Sequence, residues 1–584
     1  MTTTSGLNIP EKQLSRLSQV GHGRGEMQAW VNNLPIMNTA ETGKKLYQTL
    51  GELATLHIDD DDRYELVEIL EPAVTNLIRA LSHGLQNQPV KLPHAARRAA
   101  VLSQALHLQL ALDYKVVAVG TLQRLEGGKV GFMNLGKRSA QQLAANAVQR
   151  CLGECIRLIR HAALLYFPLP DGVWLDIHSL FRLAWTHDLI DVPVKDRHSV
   201  HLAETSIRHT YLRAVMLGAS QTNKLRPSEL DILYAESESW ATLLKLETSP
   251  AQALLVCDAD DLAPGFRHRA APKPGSWFIR SEALVQHFQA NPGAIPASLQ
   301  DHLLGLWRRG RERMFERRPC EKPVLICLGL SAAHYFLAGQ REFRVVVKGN
   351  EEKKTAAQPA FLFGLEEETV EEQPDAWQIS YATVTTIDQD ADRDKEEQAE
   401  VAPAVTYVPY HVEAFNVSPG GYGIRWPGNP PASLRPGEII AISEERGKGW
   451  NVGLLHWVRM TTEYQVEAGL ELLSAQAKPC GICRIRNLRE DSDYLRGFLI
   501  PEMKSLDQPA TLVTSGTTFA VGSDVKISLA GQTVLAQLTK LVLSTASISQ
   551  YEFAVLNTSA PVRAPDHDAT LESNIDAMWE QLKP

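Results

Sequence analysis

The sequence predicts an α+β multidomain protein: an all-helical N-terminal region followed by a strand-rich half built as two small β-barrels. Three observations carry this prediction. The chain has 584 residues, too many for one core at roughly 150 residues per domain. Apolar residues recur at helical spacing from about Thr42 to Leu246. From Pro323 to Leu556 they fall instead into short runs separated by turns bearing Gly and Pro, the texture of small barrels.

Taken in order, residues 1–40 read as a flexible tail. Gly21, Gly23 and Gly25 do not announce a phosphate loop, because such a loop needs a strand before it and a helix after it, and the sequence signals neither. Residues 41–248 form the helical domain. Tyr64, Leu66, Val67, Ile69, Leu70 and Val74, then Leu77, Ile78 and Leu81, line one helix. The acids Asp59 to Asp62 stand at its start, where negative charge complements the positive end of the helix dipole. Further helices are expected near 93–125 and 138–165. Pro170 then punctuates, and a new helix carries the stripe Trp174, Ile177, Leu180, Phe181 and Ala184. Long helices with short breaks predict a bundle or a solenoid-like stack, a surface suited to a protein partner. His178 and His187 lack metal-ligand spacing, and no metal site is expected.

Residues 249–305 read as a mixed α/β connector, with a buried strand in ALLVCDADD and a short helix in RSEALVQHF. Residues 306–478 form the first barrel, with strands expected in PVLICLGL, REFRVVVKG, HVEAFNV, GEIIAIS, NVGLLHWVRM and YQVEAGLELL. An acidic segment, 350–402, interrupts it. Fifteen acidic residues stand against four basic ones between Asn350 and Glu400, so this stretch accounts for the chain's whole net charge of −9. Such composition cannot bury enough apolar surface to offset its ordering entropy, and a solvated flexible insertion is expected. Residues 479–565 form a second, degenerate barrel with strands in DVKISLAG and YEFAVL. Its Cys480–Cys483 pair is a single CxxC, whereas structural zinc needs two such pairs or added His. Residues 566–584 carry a C-terminal amphipathic helix.

The composition, 44% apolar and 22% charged, excludes a disordered chain and a membrane bundle. The N-terminus has no apolar core after a basic start, so no secretory signal is read there. Seven scattered cysteines argue against a disulfide framework and for a cytoplasmic protein. No P-loop, paired-carboxylate motif, nucleophile–base set or HExxH supports an enzyme, and no cofactor, nucleic acid or membrane insertion is expected.

Two features flank the acidic segment. In WRRGRERMFERRPCEK, seven basic residues lie between Arg308 and Lys322, and two four-residue registers stand out: Arg313 with Arg317, and Arg318 with Lys322. In AFNVSPGGYGIRW, Asn416, Ser418 and Gly421 spell N-x-S-x-x-G at the exit of a strand. Arg meets the two acceptors on a guanine edge with parallel hydrogen bonds, and also forks onto phosphate. The Asn416 amide can both donate and accept, Ser418 is short, and Gly420 and Gly421 let backbone approach a ligand closely.

Together these residues resemble the PilZ family of cyclic di-GMP receptors, which pairs an RxxxR segment with a D/N-x-S-x-x-G turn in a six-stranded barrel. RPGEIIAIS, NVGLLHWV ending at Trp457, and VEAGLELL with Gly469 follow in the family's order. The resemblance implies cyclic di-GMP as the ligand, held by Arg313 and Arg317 or Arg318 and Lys322, with Asn416, Ser418, Gly420 and Gly421. It implies a non-enzymatic effector in bacterial motility, pili or biofilm that signals to a protein partner through the helical region. A ligand-free PilZ-like scaffold is the alternative.

Overall fold

A computed structural model describes residues 7–556, apart from 350–406 and short stretches at 86–87, 128–133, 251–252, 258–259, 267–272, 274, 310–315, 445–448, 487–488, 491, 503–507 and 517. Arg313, the acidic segment and the C-terminal segment 566–584 therefore lie outside the described residues.

The N-terminal region holds helices α1 (Arg24–Asn32), α2 (Thr39–Thr55), α3 (Asp60–His83), α4 (His94–Glu126), α5 (Asn134–Leu164), α6 (Val173–Thr186), α7 (Ile207–Ala219) and α8 (Pro227–Trp240). The long pair α4 and α5 forms its spine, with α3 and α2 packed on α4 and α7 on α5. The helix read from Tyr64 to Leu81 is α3, and Asp60, Asp61 and Asp62 occupy its first turn as the dipole argument requires. The tail expected over 1–40 is overturned in part. Residues 24–32 are helical, Met27 is fully buried, and Leu14 bridges to Leu56. One or two apolar residues per turn were too weak a signal to show this helix alone; it forms by packing on α3.

Next come β1 (Lys245–Glu247), β2 (Leu255–Cys257), β3 (Gly265–Phe266) and β4 (Trp277–Arg280), a small antiparallel sheet, then α9 (Glu282–Ala290) and α10 (Ala297–Arg309). These elements share one apolar core with the helices. Ile279, Phe288, Leu303 and Trp307 are buried in the cluster that also holds Leu50, Leu110 and Phe181.

The first barrel consists of β5 (Arg318–Leu328), β6 (Tyr410–Ser418), β7 (Gly421–Trp426), β8 (Ile439–Ser443), β9 (Asn451–Met460) and β10 (Val466–Ser474). Between β5 and β6 come α11 (Leu330–Leu337) and α12 (Phe343–Lys348). The strands close in the order β10-β7-β6-β5-β8-β9, all pairs antiparallel. Two expectations change here. REFRVVVKG is not a strand but helix α12. Its valines favour strands by propensity, yet Val346 and Val347 bury against the second barrel, where Ser528 donates to the Val347 carbonyl at 2.7 Å. And Arg318 to Lys322 does not precede a strand; it is already in β5. β8 joins β5 only from Leu325, so Pro319 and Pro323 sit in the half of the strand that β6 alone pairs, where the missing N–H is tolerated.

The second barrel has β11 (Lys478–Arg486), a short β12 (Arg489–Glu490) beside it, β13 (Leu495–Ile500), β14 (Thr511–Ser515), β15 (Asp524–Leu529), β16 (Gln532–Ser544) and β17 (Ile548–Val555). The pairing of β11 with β15 closes it. Cys480 and Cys483 are buried in the middle of β11 rather than at a helix N-terminus, and among the described residues no group of His, Cys, Asp or Glu forms a metal set with them. A shared apolar layer joins the barrels: Phe336 of α11, Ile439, Val452, Phe498 and Ile548 belong to one buried cluster. The helical region docks on the first barrel, whose core takes in Val90 and Tyr166. No described helix is long and apolar enough to cross a membrane.

Candidate functional site

Strand alternation sorts the first barrel into an inner and an outer face. Val412, Ala414, Tyr422, Ile424, Leu455, Val458, Ala468 and Leu470 fill the core. Their neighbours along each strand face outward, and the register stacks those into rows. The first row is charged: Glu413, Arg425, Glu467 and Arg459 oppose one another across β6, β7, β10 and β9. Glu467, nearly buried, holds Arg425 at 3.2 Å and Arg459 at 2.7 Å, so both guanidiniums are fixed in place.

The second row is Pro319, Asn416, Gly423, Gly469 and Trp457, on β5, β6, β7, β10 and β9. Its two central members have no side chain because there is no room for one. A Cβ on Gly423 would lie 2.7 Å from both end atoms of the Asn416 amide, and a Cβ on Gly469 would overlap the indole of Trp457. The result is a shelf on which the Asn416 amide covers Gly423 and the Trp457 indole covers Gly469, side by side on the barrel's outer face. A bulge at Phe415 puts Asn416 in this row, and the Asn416 side-chain oxygen is buried with no hydrogen-bond partner among the described residues. An unpaired buried acceptor costs about 1–3 kcal/mol, which a donor from a ligand would recover.

The third row is the turn. Ser418 opposes Gly421, and Gly421 opposes Glu471, which His456 approaches at 3.2 Å. Ser418 donates to the Gly421 carbonyl at a long 3.4 Å. Gly420 accepts from the Leu472 N–H at 3.0 Å, and a Cβ on Gly421 would overlap the Leu470 carbonyl, so only glycine fits there.

The basic segment arrives beside these rows. Arg318 is paired with Val417 and Pro319 with Asn416, so residues roughly a hundred positions apart in sequence lie on adjacent strands. Arg317 and Arg318 are both exposed at that corner. Lys322 is not part of it. It opposes Ala414, and its amine reaches Glu444 at 3.8 Å, the same carboxylate that accepts the Tyr422 hydroxyl at 2.6 Å. Burial, and then the Glu444 carboxylate, push the Tyr422 phenol above its ordinary value, so it stays a donor. The structure thus brings together Arg317, Arg318, Asn416, Ser418, Gly420 and Gly421 and directs Lys322 elsewhere.

Sequence reasoning left Gly423, Arg425 and Arg459 out of the site and treated Gly469 and Trp457 as strand texture. The alternating glycines of GYGIRW were a usable signal, since glycine inside a strand marks a bulge or a close approach. Among the described residues no cluster of His, Cys, Asp or Glu could hold a metal ion.

The geometry is that of a shelf for a planar, anionic, hydrogen-bonding ligand: an aromatic face for stacking, an amide for an edge, and guanidiniums for phosphate. Three family models match successive parts of the chain. The N-terminal domain of the cyclic-di-GMP receptor FimW matches residues 25–252, the middle PilZ domain of that receptor 269–479, and the FimW C-terminal beta-barrel domain 480–556. The chain is 29% identical to the cyclic-di-GMP receptor FimW of Pseudomonas aeruginosa over 614 residues, spanning 99% of this chain and 98% of that protein. No solved structure matches the chain.

Proposed function

The chain belongs to the PilZ-domain family, and from that membership we propose that it is a cytoplasmic, non-enzymatic receptor binding cyclic di-GMP on the outer face of its first barrel. One observation carries the reading: the β5–β6 register sets Arg318 and Pro319 directly against Val417 and Asn416, beside the glycine shelf. Arg317 and Arg318 fork onto the phosphates or a guanine edge, the Asn416 amide takes a guanine edge, and Ser418, Gly420 and Gly421 let the backbone approach. A guanine laid on the shelf stacks on Trp457, with Arg425 and Arg459 held nearby by Glu467. The second barrel takes no part in binding.

The signal passes to the helical region and from there to a protein partner in the control of motility or pili. What supports this route is the seam between the units. The turn Thr222–Lys224, just before α8, packs on β9, the strand that carries Trp457. Arg226 then reaches the carbonyl of Pro436 at 2.8 Å and Glu438 at 3.2 Å in the first barrel, and Ser547 in the second. Tyr166 accepts the Met460 N–H at 2.7 Å at the far end of β9. A ligand that shifts β9 therefore acts on contacts of all three units. Isothermal titration of the full chain with cyclic di-GMP is expected to give a dissociation constant of about 1 µM or below, with GTP and cyclic AMP far weaker. No heat at about 100 µM ligand refutes the receptor reading and leaves a scaffold.

A further inference from the structure

The first outer row of the barrel sets an acid in the middle of a site for an anion. Glu467 on β10 opposes Arg425 of β7 on one side and Arg459 of β9 on the other. It is only 5% exposed, and each carboxylate oxygen serves a different guanidinium. Oε1 accepts from Arg425 Nη2 at 3.2 Å; Oε2 accepts from Arg459 Nε at 3.0 Å and Nη2 at 2.7 Å. Burying a carboxylate is costly, and these charge-assisted partners offset it. Each arginine also lies over an aromatic ring: Arg459 is 5.3 Å from the centre of the Trp457 ring, and Arg425 is 5.4 Å from that of Phe415. Both rings border the shelf. The Trp457 indole covers Gly469, and a Cβ on Gly423 would meet Phe415 Cζ at 2.8 Å. Along β7 and β10 the shelf glycines stand two residues from Arg425 and Glu467, about 6.6 Å, within a guanidinium's reach. Both arginine side chains stay partly open to a ligand, and Arg425 Nε is buried with no hydrogen-bond partner among the described residues.

We propose, resting on the receptor reading above, that Glu467 is a positioning residue for the ligand. By fixing Arg425 and Arg459 against Phe415 and Trp457 it presents two guanidiniums, already ordered, beside the shelf. It thereby strengthens the binding of a dianion although its own charge opposes that ligand. Charge alone predicts the opposite sign, since removing an acid beside two phosphates tightens binding. Two facts reverse it. The Glu467 charge is neutralised at close range by two arginines, so it repels little. And a free arginine loses rotamer freedom when it meets a ligand, which weakens binding about 2- to 13-fold per side chain; Glu467 has ordered two of them in advance.

Titration calorimetry of the full chain with cyclic di-GMP tests this, with urea midpoints to show that each variant folds. Glu467→Gln keeps the shape of the side chain and is expected to weaken binding about 5- to 150-fold, the ordering of two side chains. In an Arg425→Ala/Arg459→Ala background the same change is expected to tighten binding, because a carboxylate without its arginines only repels. A residue that did no more than hold the barrel together would weaken both. Arg459→Lys, at a mostly exposed side chain, keeps the charge but loses the planar fork and the stack, and is expected to weaken binding about two- to tenfold. Wild-type binding with Glu467→Gln equal or tighter overturns the role given to Glu467 and leaves the receptor reading intact. An equal loss in both backgrounds does the same, and so does full affinity in Arg459→Lys. No binding by the wild-type chain overturns the receptor reading and this inference with it.

Discussion

Replacing Gly423 by alanine tests whether Asn416 binds ligand from the place the strand register gives it. The added Cβ lies 2.7 Å from both Asn416 amide atoms and 2.8 Å from Phe415 Cζ, closer than non-bonded contact allows. The amide has to swing off the shelf. Losing one or two of its hydrogen bonds to a guanine edge, at about 1 kcal/mol each, weakens cyclic di-GMP binding about 5- to 30-fold. The fold survives, because the displaced atoms are ends of side chains on the barrel's outer face; the cost in stability is at most about 1–3 kcal/mol. Titration calorimetry of four proteins closes the argument: wild type, Gly423→Ala, Asn416→Ala and the double variant. If the alanine acts through Asn416, it costs almost nothing further once Asn416 is gone, and the double variant binds like Asn416→Ala. Additive losses mean that Gly423 contacts the ligand itself. Unchanged binding in Gly423→Ala means that the ligand does not use the shelf at all.

Arg317→Ala and Arg318→Ala are each expected to weaken binding about 10- to 150-fold, the loss of one charge-assisted fork, while Lys322→Ala stays within about threefold because that amine faces Glu444. Titration of the three variants decides it, and a Lys322 loss as large as an arginine's refutes the corner geometry. A further expectation concerns acid. His334 is buried between Phe343 and Phe498, shares a 3.2 Å hydrogen bond with the Cys480 carbonyl, and is held down to about 3, first by burial and then by Arg496. A depressed folded value means that the unfolded chain binds the proton first, so stability is full above about pH 6.5 and falls as pH drops. By pH 5 the loss from this one group is about 2 kcal/mol. Urea midpoints at pH 7.5 and 5.0 measure it, and His334→Gln is expected to flatten the difference; an unchanged slope refutes the assignment to His334.

Local information reached the elements of this protein, and the tertiary structure reached their neighbours. The apolar stripe of Leu66, Leu70 and Val74 identifies α3 because a helix satisfies its own backbone and repeats every 3.6 residues. The N-x-S-x-x-G turn was legible for a similar reason, since Ser418 to Gly421 is a hairpin whose partners are sequence neighbours. α12 was misread because its strand-favouring valines are overruled by burial on β11 and β15, strands far along the chain. The choice between arginine registers was closed to the sequence as well. Spacing alone makes Arg318–Lys322 as good a pair as Arg313–Arg317; the tertiary structure adds that Arg318 pairs with Val417, next to Asn416, whereas the Lys322 amine lies near Glu444. The shelf itself joins Asn416, Gly423, Gly469 and Trp457 from four strands, and closing the barrel sets that register. Closing the barrel fixes that register around a common apolar core, and a slip of one position on β7 or β10 would turn Gly423 or Gly469 inward and dismantle the row.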